Sequence, residues 1–166
     1  MSEYNFDFEG YQPTWLEYAD ASIRFRDHLS AVAGETFGDI KGVVSQDGWE
    51  PDWPVVFEFP TAVFAINTKQ DHLWAIDRWH DFRLRVQDEG EPLVLTYESI
   101  ADIVDLTDAI GKQLEAIAWP RDRSDWSQQA FLFRFVGANL RVFDAGDELG
   151  LEVLDEIEDA DWENIY

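Results

Sequence analysis

The chain has 166 residues, of which 46% are hydrophobic and 15% aromatic. This length and composition predict a single domain, over residues 1–166, that can bury a sizeable core. The formal net charge of −23 creates a field that repels nucleic-acid phosphates and anionic membranes and attracts basic proteins. The chain has no cysteine, which excludes disulfides, thiolate metal sites and a cysteine nucleophile.

Neither a signal peptide nor a membrane-spanning segment is expected from the sequence. The N-terminus has no basic region followed by an apolar one. No stretch approaches the roughly 18 consecutive apolar residues that a spanning helix needs. Together with the absence of cysteine, this predicts a cytoplasmic protein that makes no contact with a membrane.

The N-terminal part is predicted to form a strand, a helix and a second short strand. Aromatic and polar residues alternate over residues 4–9, which indicates a strand. A helix follows, because Thr14 and Glu17 match a capping box and Gly34 is placed to end the helix. Its predicted buried face consists of residues at helical spacing: Tyr18, Ser22, Phe25, Leu29 and Val32. A further strand is predicted within residues 40–44.

An antiparallel meander is predicted in the middle of the chain. Runs rich in β-branched and aromatic residues, separated by brief turn sequences, are typical of neighbouring antiparallel strands. In one run Arg83 and Arg85 alternate with apolar residues, so we expect both arginines to point outward and to pair with acids across strands. The runs cover residues 55–59, 62–67, 72–79, 82–87 and 93–97.

The segment 99–119 is predicted to be the best helix of the chain, with Ser99 as its N-cap. Its apolar residues recur at spacings of three and four: Ile100, Ile103, Leu106, Ile110, Leu114 and Ile117. Residues 130–146 follow as a predicted hairpin.

The C-terminal piece alternates like a strand near residue 150, but Val153, Ile157 and Ala160 share one helical face. A helix from about Asp147, with that residue as its N-cap, is the preferred interpretation. The elements together predict an α+β domain, with an antiparallel β-meander sheet and two or three packed helices.

The sequence contains no motif for a metal, a nucleotide or a serine nucleophile. The histidines His28, His72 and His80 have no metal-binding spacing. Asp77, His80 and Asp81 could meet at a turn, although a solvated turn is the simpler interpretation. We therefore expect no cofactor, no metal and no enzymatic activity.

Carboxylate chemistry remains an alternative, because glycosidase-type reactions need only two acids about 5–9 Å apart in a cleft. Glu58 and Asp77 are the best candidates, since both lie in apolar strand contexts. The simpler interpretation is that each side chain points outward from its strand.

The acidity is concentrated at the C-terminus, where residues 144–166 contain ten Asp or Glu and no Lys or Arg. Acids interspersed with aromatic residues suit a surface that binds a basic protein, because opposite charges speed the encounter and aromatic side chains slow dissociation. The predicted contact residues are Asp155, Glu156, Glu158, Asp159, Asp161, Trp162, Glu163 and Tyr166.

These features predict an immunity-type inhibitor that neutralises a basic partner such as a bacterial toxin. The likeness to bacterial immunity proteins is one of general type, since no family motif is matched. Three alternatives remain open: a mimic of nucleic acid that acts on a DNA- or RNA-binding protein, a small carboxylate-dependent enzyme, and an acidic accessory domain whose charge serves solubility or salt adaptation. Direct binding of nucleic acid is not expected, and the oligomeric state is not predicted.

Overall fold

The computed structural model describes residues 6–86, 95–122, 129–146 and 148–165. Within these residues one α-helix, α1 (Tyr18–Leu29), accompanies fourteen strands. The strands are β1 (Phe6–Glu9), β2 (Leu16–Glu17), β3 (Asp39–Ser45), β4 (Gly48–Trp49), β5 (Val55–Glu58), β6 (Val63–Lys69), β7 (Leu73–Arg78), β8 (Arg83–Val86), β9 (Thr96–Ser99), β10 (Leu114–Pro120), β11 (Ala130–Phe135), β12 (Ala138–Asp144), β13 (Leu149–Leu154) and β14 (Trp162–Asn164).

The strands form three antiparallel sheets. The largest has seven strands in the order β2-β7-β6-β5-β3-β4, with β9 also paired to β3. A second sheet has five strands in the order β13-β12-β11-β10-β14, and β1 pairs with β8 as a two-stranded ribbon. The ribbon register sets the backbone of Asp7 opposite that of Arg85, and the backbone of Glu9 opposite that of Arg83; the pairing of these arginines with acids stays a prediction.

The larger core lies where α1 and the two large sheets meet. Phe57 of the seven-stranded sheet stacks on Phe133 of the five-stranded sheet, with ring centroids 4.8 Å apart. Phe25 of α1 stacks on Phe131 at 4.3 Å, and all four rings are fully buried. Burial of each such side chain contributes about 1.5–3 kcal/mol, so this aromatic cluster joins the helix to both sheets.

A smaller core lies on the opposite face of the seven-stranded sheet. Val43, Val56 and Ala65 pack there with Phe8 of the ribbon and with Trp79. Successive residues of β5 therefore enter different cores, and the seven-stranded sheet is buried on both faces. This explains why β5 is an uninterrupted apolar run rather than an alternating one.

The predicted α+β class with two or three packed helices is wrong, since the described residues are mostly strand with only one helix of seven or more residues. The predicted helix over 99–119 instead forms turns, a short 3₁₀ turn (Thr107–Ala109) and β10. Two of its six predicted buried residues, Ile103 and Ile110, are exposed. A β-bulge between Leu114 and Ala116 explains the misleading pattern, because the extra residue puts Leu114 and Ile117 on one face at a helical spacing of three.

The preferred C-terminal helix is also wrong. Leu149–Leu154 form β13, which pairs with β12 over six register positions. The proposed N-cap, Asp147, lies outside the described residues. Cross-strand pairing prevails here over the helical spacing of Val153, Ile157 and Ala160.

Several predictions are confirmed. The helix α1 buries the five predicted residues of its apolar face and the turn after it: Tyr18, Ser22, Phe25, Leu29 and Val32. It begins later than predicted, because residues 16–17 pair with β7, and Glu17 takes the N-cap position without a side-chain hydrogen bond. The predicted hairpin over 130–146 is formed by β11 and β12, and β5, β6 and β7 pair consecutively as a meander. The single domain stays a prediction. No helix in the described ranges is long and apolar enough to cross a membrane.

Candidate functional site

The predicted contact residues lie on the acidic segment, defined here as residues 155–163. This segment connects β13, at one edge of the five-stranded sheet, to β14 at the opposite edge. Tyr166 lies outside the described residues. All of the predicted acidic residues are exposed: Asp155, Glu156, Glu158, Asp159, Asp161 and Glu163.

Several contacts fix the path of the acidic segment. Asp159 Oδ1 lies 3.1 Å from Arg134 Nη2, an exposed ion pair that contributes little to stability. The backbone is held more firmly, because the Arg121 amide donates to the Asp161 carbonyl at 2.9 Å. Beyond the segment, Ile165 is buried and its amide donates to the Ile117 carbonyl at 2.8 Å. The carboxylates therefore project from a positioned chain rather than from a free tail.

A cleft of about 410 Å³ opens beside the acidic segment. Trp162, which is half-buried, forms one wall of this cleft. The lining carries charges of both signs and consists of Pro120, Arg121, Asp122, Arg141, Ala160, Asp161 and Trp162. The cleft therefore combines an aromatic surface with charges of both signs.

The Arg141 wall of the cleft is held by an aromatic stack. The guanidinium lies 4.3 Å from the centroid of the Phe143 ring, and its Nη1 lies 3.3 Å from Glu152 Oε2. Phe143 in turn lies on Gly150 of the neighbouring strand, where a Cβ atom would overlap the ring. Only glycine at this position lets the ring lie flat, so Gly150 supports the orientation of Arg141.

The two carboxylates considered for catalysis do not form a pair. Glu58 lies on β5 and Asp77 on β7, with β6 between them. Glu58 Oε1 lies 2.8 Å from Lys41 Nζ, whereas Asp77 Oδ1 lies 3.1 Å from Arg24 Nη2. Each acid thus has its own cationic partner, which is the arrangement of structural ion pairs rather than of an acid–base pair.

Asp77 nevertheless lies in an unusual environment at the contact between β7 and α1. Its side chain is 15% exposed, and burial raises its pKa although Arg24 acts in the opposite direction. The pKa of His28 is lowered, first by burial and then by Arg24 and Arg78. Asp77 therefore interacts with Arg24 of α1. It does not form the predicted cluster with His80 and Asp81.

We expect Asp77→Asn to remove a pH-dependent contribution to the free energy of unfolding. The pKa of Asp77 is raised above 3.8 in the folded state, so its contribution is complete below that pH and is lost as the pH rises through the folded-state pKa. Urea unfolding between about pH 4 and about pH 7 should show wild type losing stability relative to Asp77→Asn. Asp108→Asn controls for the loss of one negative charge. A difference that stays constant, or that favours wild type more at higher pH, would contradict the assignment.

A histidine–aspartate pair that the sequence did not indicate joins the β6–β7 turn to the end of β12. His72 Nδ1 lies 2.7 Å from Asp144 Oδ2, and the Asp144 side chain is fully buried. The Gly146 amide donates to the second carboxylate oxygen at 3.0 Å. The histidine follows Asp71 in a turn where both residues have positive φ, 65° and 56°. This pair fixes the β6–β7 turn against the end of β12.

The described residues contain no group of three or more His, Cys, Asp or Glu that could hold a metal ion. No protein-family model matches the chain, and neither a curated protein nor a solved structure is significantly similar to it. Any function must therefore be argued from the geometry and charge of the surface itself.

Proposed function

We propose that this chain is an immunity-type inhibitor that neutralises a basic protein, such as a bacterial toxin, by binding it through the acidic segment. The observation that carries the proposal is that six exposed carboxylates project from one positioned stretch of chain. A chain with a net charge of −23 attracts basic partners from a distance and accelerates their encounter.

The fixed path of the acidic segment supports a role in binding. A segment that is already ordered before binding loses less conformational entropy on binding than a flexible tail does. The Arg121–Asp161 backbone bond and the burial of Ile165 supply this order. The segment thus offers a defined charge pattern to a partner.

Trp162 and the adjoining cleft are proposed to slow the dissociation of the bound partner. Tryptophan is enriched among the few interface residues that carry most of the binding energy. Its indole is half-buried beside a cleft that could receive a partner side chain. The exposed acids would then govern the association rate and Trp162 the dissociation rate.

The proposal predicts that charge position, and not only total charge, controls binding. Asp155→Lys, Glu156→Lys and Glu158→Lys together change the net charge by 3 × 2, from −23 to −17. A matched triple variant, Asp20→Lys, Asp27→Lys and Asp47→Lys, makes the same change at exposed acids outside the segment. We expect the first variant to bind at least about tenfold more weakly, which corresponds to about 1.4 kcal/mol, and the control to change less than about threefold.

The measurement needs a purified partner. Immobilised wild-type protein captures candidates from a lysate of the native host, salt elutes them, and mass spectrometry identifies them. Surface plasmon resonance with each purified candidate then compares both triple variants. Equal weakening by both variants would reduce the effect to net charge and contradict the proposed surface. Loss of the partner to competing duplex DNA would favour the nucleic-acid mimic instead.

A further inference from the structure

The exposed apolar residues are concentrated in one part of the molecule. Four large hydrophobic side chains of the described residues are exposed: Ile23 (60%), Ile103 (50%), Val136 (41%) and Ile110 (37%). Single exposed apolar residues are normal on any protein. Ile110 and Val136, however, lie near the same end of the five-stranded sheet, and Ile103 belongs to the same loop as Ile110.

Strand register shows how these residues come together. Leu114 pairs with Phe135, and Asn139 pairs with Leu154. The start of β10, the β11–β12 turn and the end of β13 therefore lie at one end of the sheet. These four strands span only about 14 Å at a spacing of about 4.8 Å. The Val136 amide also donates to the Gln113 carbonyl at 3.0 Å, which ties the turn to the chain that leads into β10.

The loop that carries Ile103 and Ile110 is firmly anchored. Leu106 and Ala109 are fully buried within it. The Leu106 amide donates to the Ala101 carbonyl at 2.8 Å, and the Gly111 amide donates to the Phe37 carbonyl at 2.9 Å. The backbone is thus fixed before and after Ile103 and before and after Ile110, which holds both side chains in solvent. Such a rigid display of apolar side chains is suited to binding.

Exposed acids lie on the same loop as Ile103 and Ile110 and directly after β13. The end surface is defined here as residues 102–111, 136–137 and 155–156, so it includes the start of the acidic segment. Lys112, also exposed, is the neighbouring base. The exposed acids of the end surface are Asp102, Asp105, Asp108, Asp155 and Glu156. Apolar and acidic side chains together suit an interface, and the negative charge is complementary to a basic partner.

We propose that the end surface is the apolar part of the docking site for the basic partner. This proposal rests on the proposed function. Lysine or arginine side chains of the partner pair with the acids of the end surface. An apolar or aromatic side chain of the partner covers Ile110 and Val136. The partner is therefore a basic protein that presents an apolar side chain among its cationic ones, and binding buries apolar area as well as pairing charges.

Two synthetic peptides of equal length and charge test this inference on the full chain. One alternates lysine with leucine, and the other alternates lysine with serine. Each is titrated into ¹⁵N-labelled protein at physiological salt, with affinity and amide shift changes recorded. We expect the leucine peptide to bind at least about tenfold more tightly, with the largest shift changes over 102–111, 136–137 and 155–156. The double variant Ile110→Ser, Val136→Ser should reduce this advantage to less than about threefold, whereas Ile23→Ser should preserve it.

The possible failures are distinguishable. Equal affinity of the two peptides, or an advantage unchanged in the double variant, overturns the inference. If the serine peptide still perturbs the acidic segment in either case, the proposed function stands without the apolar docking site. If neither peptide perturbs the acidic segment or the end surface, the proposed function fails as well.

Discussion

Replacing Phe25 with alanine is expected to lower the free energy of unfolding by about 3–5 kcal/mol, the largest effect anticipated for a single substitution here. Phe25 is fully buried and stacks on Phe131 with centroids 4.3 Å apart. It also meets Phe64 and Phe133 edge-on at 6.0 and 5.6 Å. Its loss opens a cavity bordered by α1 and both large sheets, which cannot all move inward to fill it.

Chemical denaturation with matched variants measures this effect. Phe25→Leu retains most of the buried volume and should cost clearly less than Phe25→Ala. Ile23→Ala, on the same helix but 60% exposed, should change stability by less than about 0.5 kcal/mol. Because a domain of this size is stable by only about 5–15 kcal/mol, Phe25→Ala should also lower the thermal midpoint markedly. A similar loss of stability in Phe25→Ala and Ile23→Ala would show that the aromatic cluster does not join α1 to the two large sheets.

Replacing Asp144 with alanine is expected to cost about 1–3 kcal/mol, because it removes a buried carboxylate together with its hydrogen bonds to the His72 ring and the Gly146 amide. Its carboxylate is fully buried, contacts His72 at 2.7 Å and accepts the Gly146 amide at 3.0 Å. The Asp71–His72 backbone it supports has positive φ at both residues. Such conformations cost about 1–3 kcal/mol each and persist only where surrounding contacts hold them.

Two further variants separate the parts played by the pair. Asp144→Asn keeps one carbonyl acceptor and should recover part of the stability lost in Asp144→Ala. His72→Ala removes one of the hydrogen-bonding partners of the buried Asp144 carboxylate and should also destabilise the protein. The midpoint of denaturant unfolding reports all three. If alanine at both positions leaves the midpoint unchanged, the pair does not hold the β6–β7 turn.

Alternation predicted the ribbon strand β8, because it marks the buried face of a strand whose other face meets solvent. There Leu84 is half-buried and Arg83 exposed, and Phe82, just before the strand, is half-buried. Apolar spacing misled at Leu114 and Ile117, which share a face only because a bulge shifts the register between them. Local spacing cannot reveal a bulge, since the extra residue of β10 is recognised only from its pairing with β11.

The candidate site was predictable in part. The exposure of Asp155, Glu156 and Glu158 follows from their charge, whereas the exposure of Ile103 and Ile110 contradicts the helical stripe that seemed to bury them. The pairing of His72 with Asp144 joins residues 72 positions apart. His72 lies in the β6–β7 turn and Asp144 ends β12, so only the tertiary arrangement of strands brings them together.

The separation of the two cores by the seven-stranded sheet has a consequence for dynamics. The β1–β8 ribbon is held through the smaller core around Phe8 and Trp79, whereas α1 and the five-stranded sheet are held through the larger one. Loss of the smaller core exposes one face of the sheet but leaves the other face packed. Partial opening of the ribbon therefore requires less free energy than global unfolding, and the protein can populate a state in which the ribbon is detached while the acidic segment and its supporting sheet remain native.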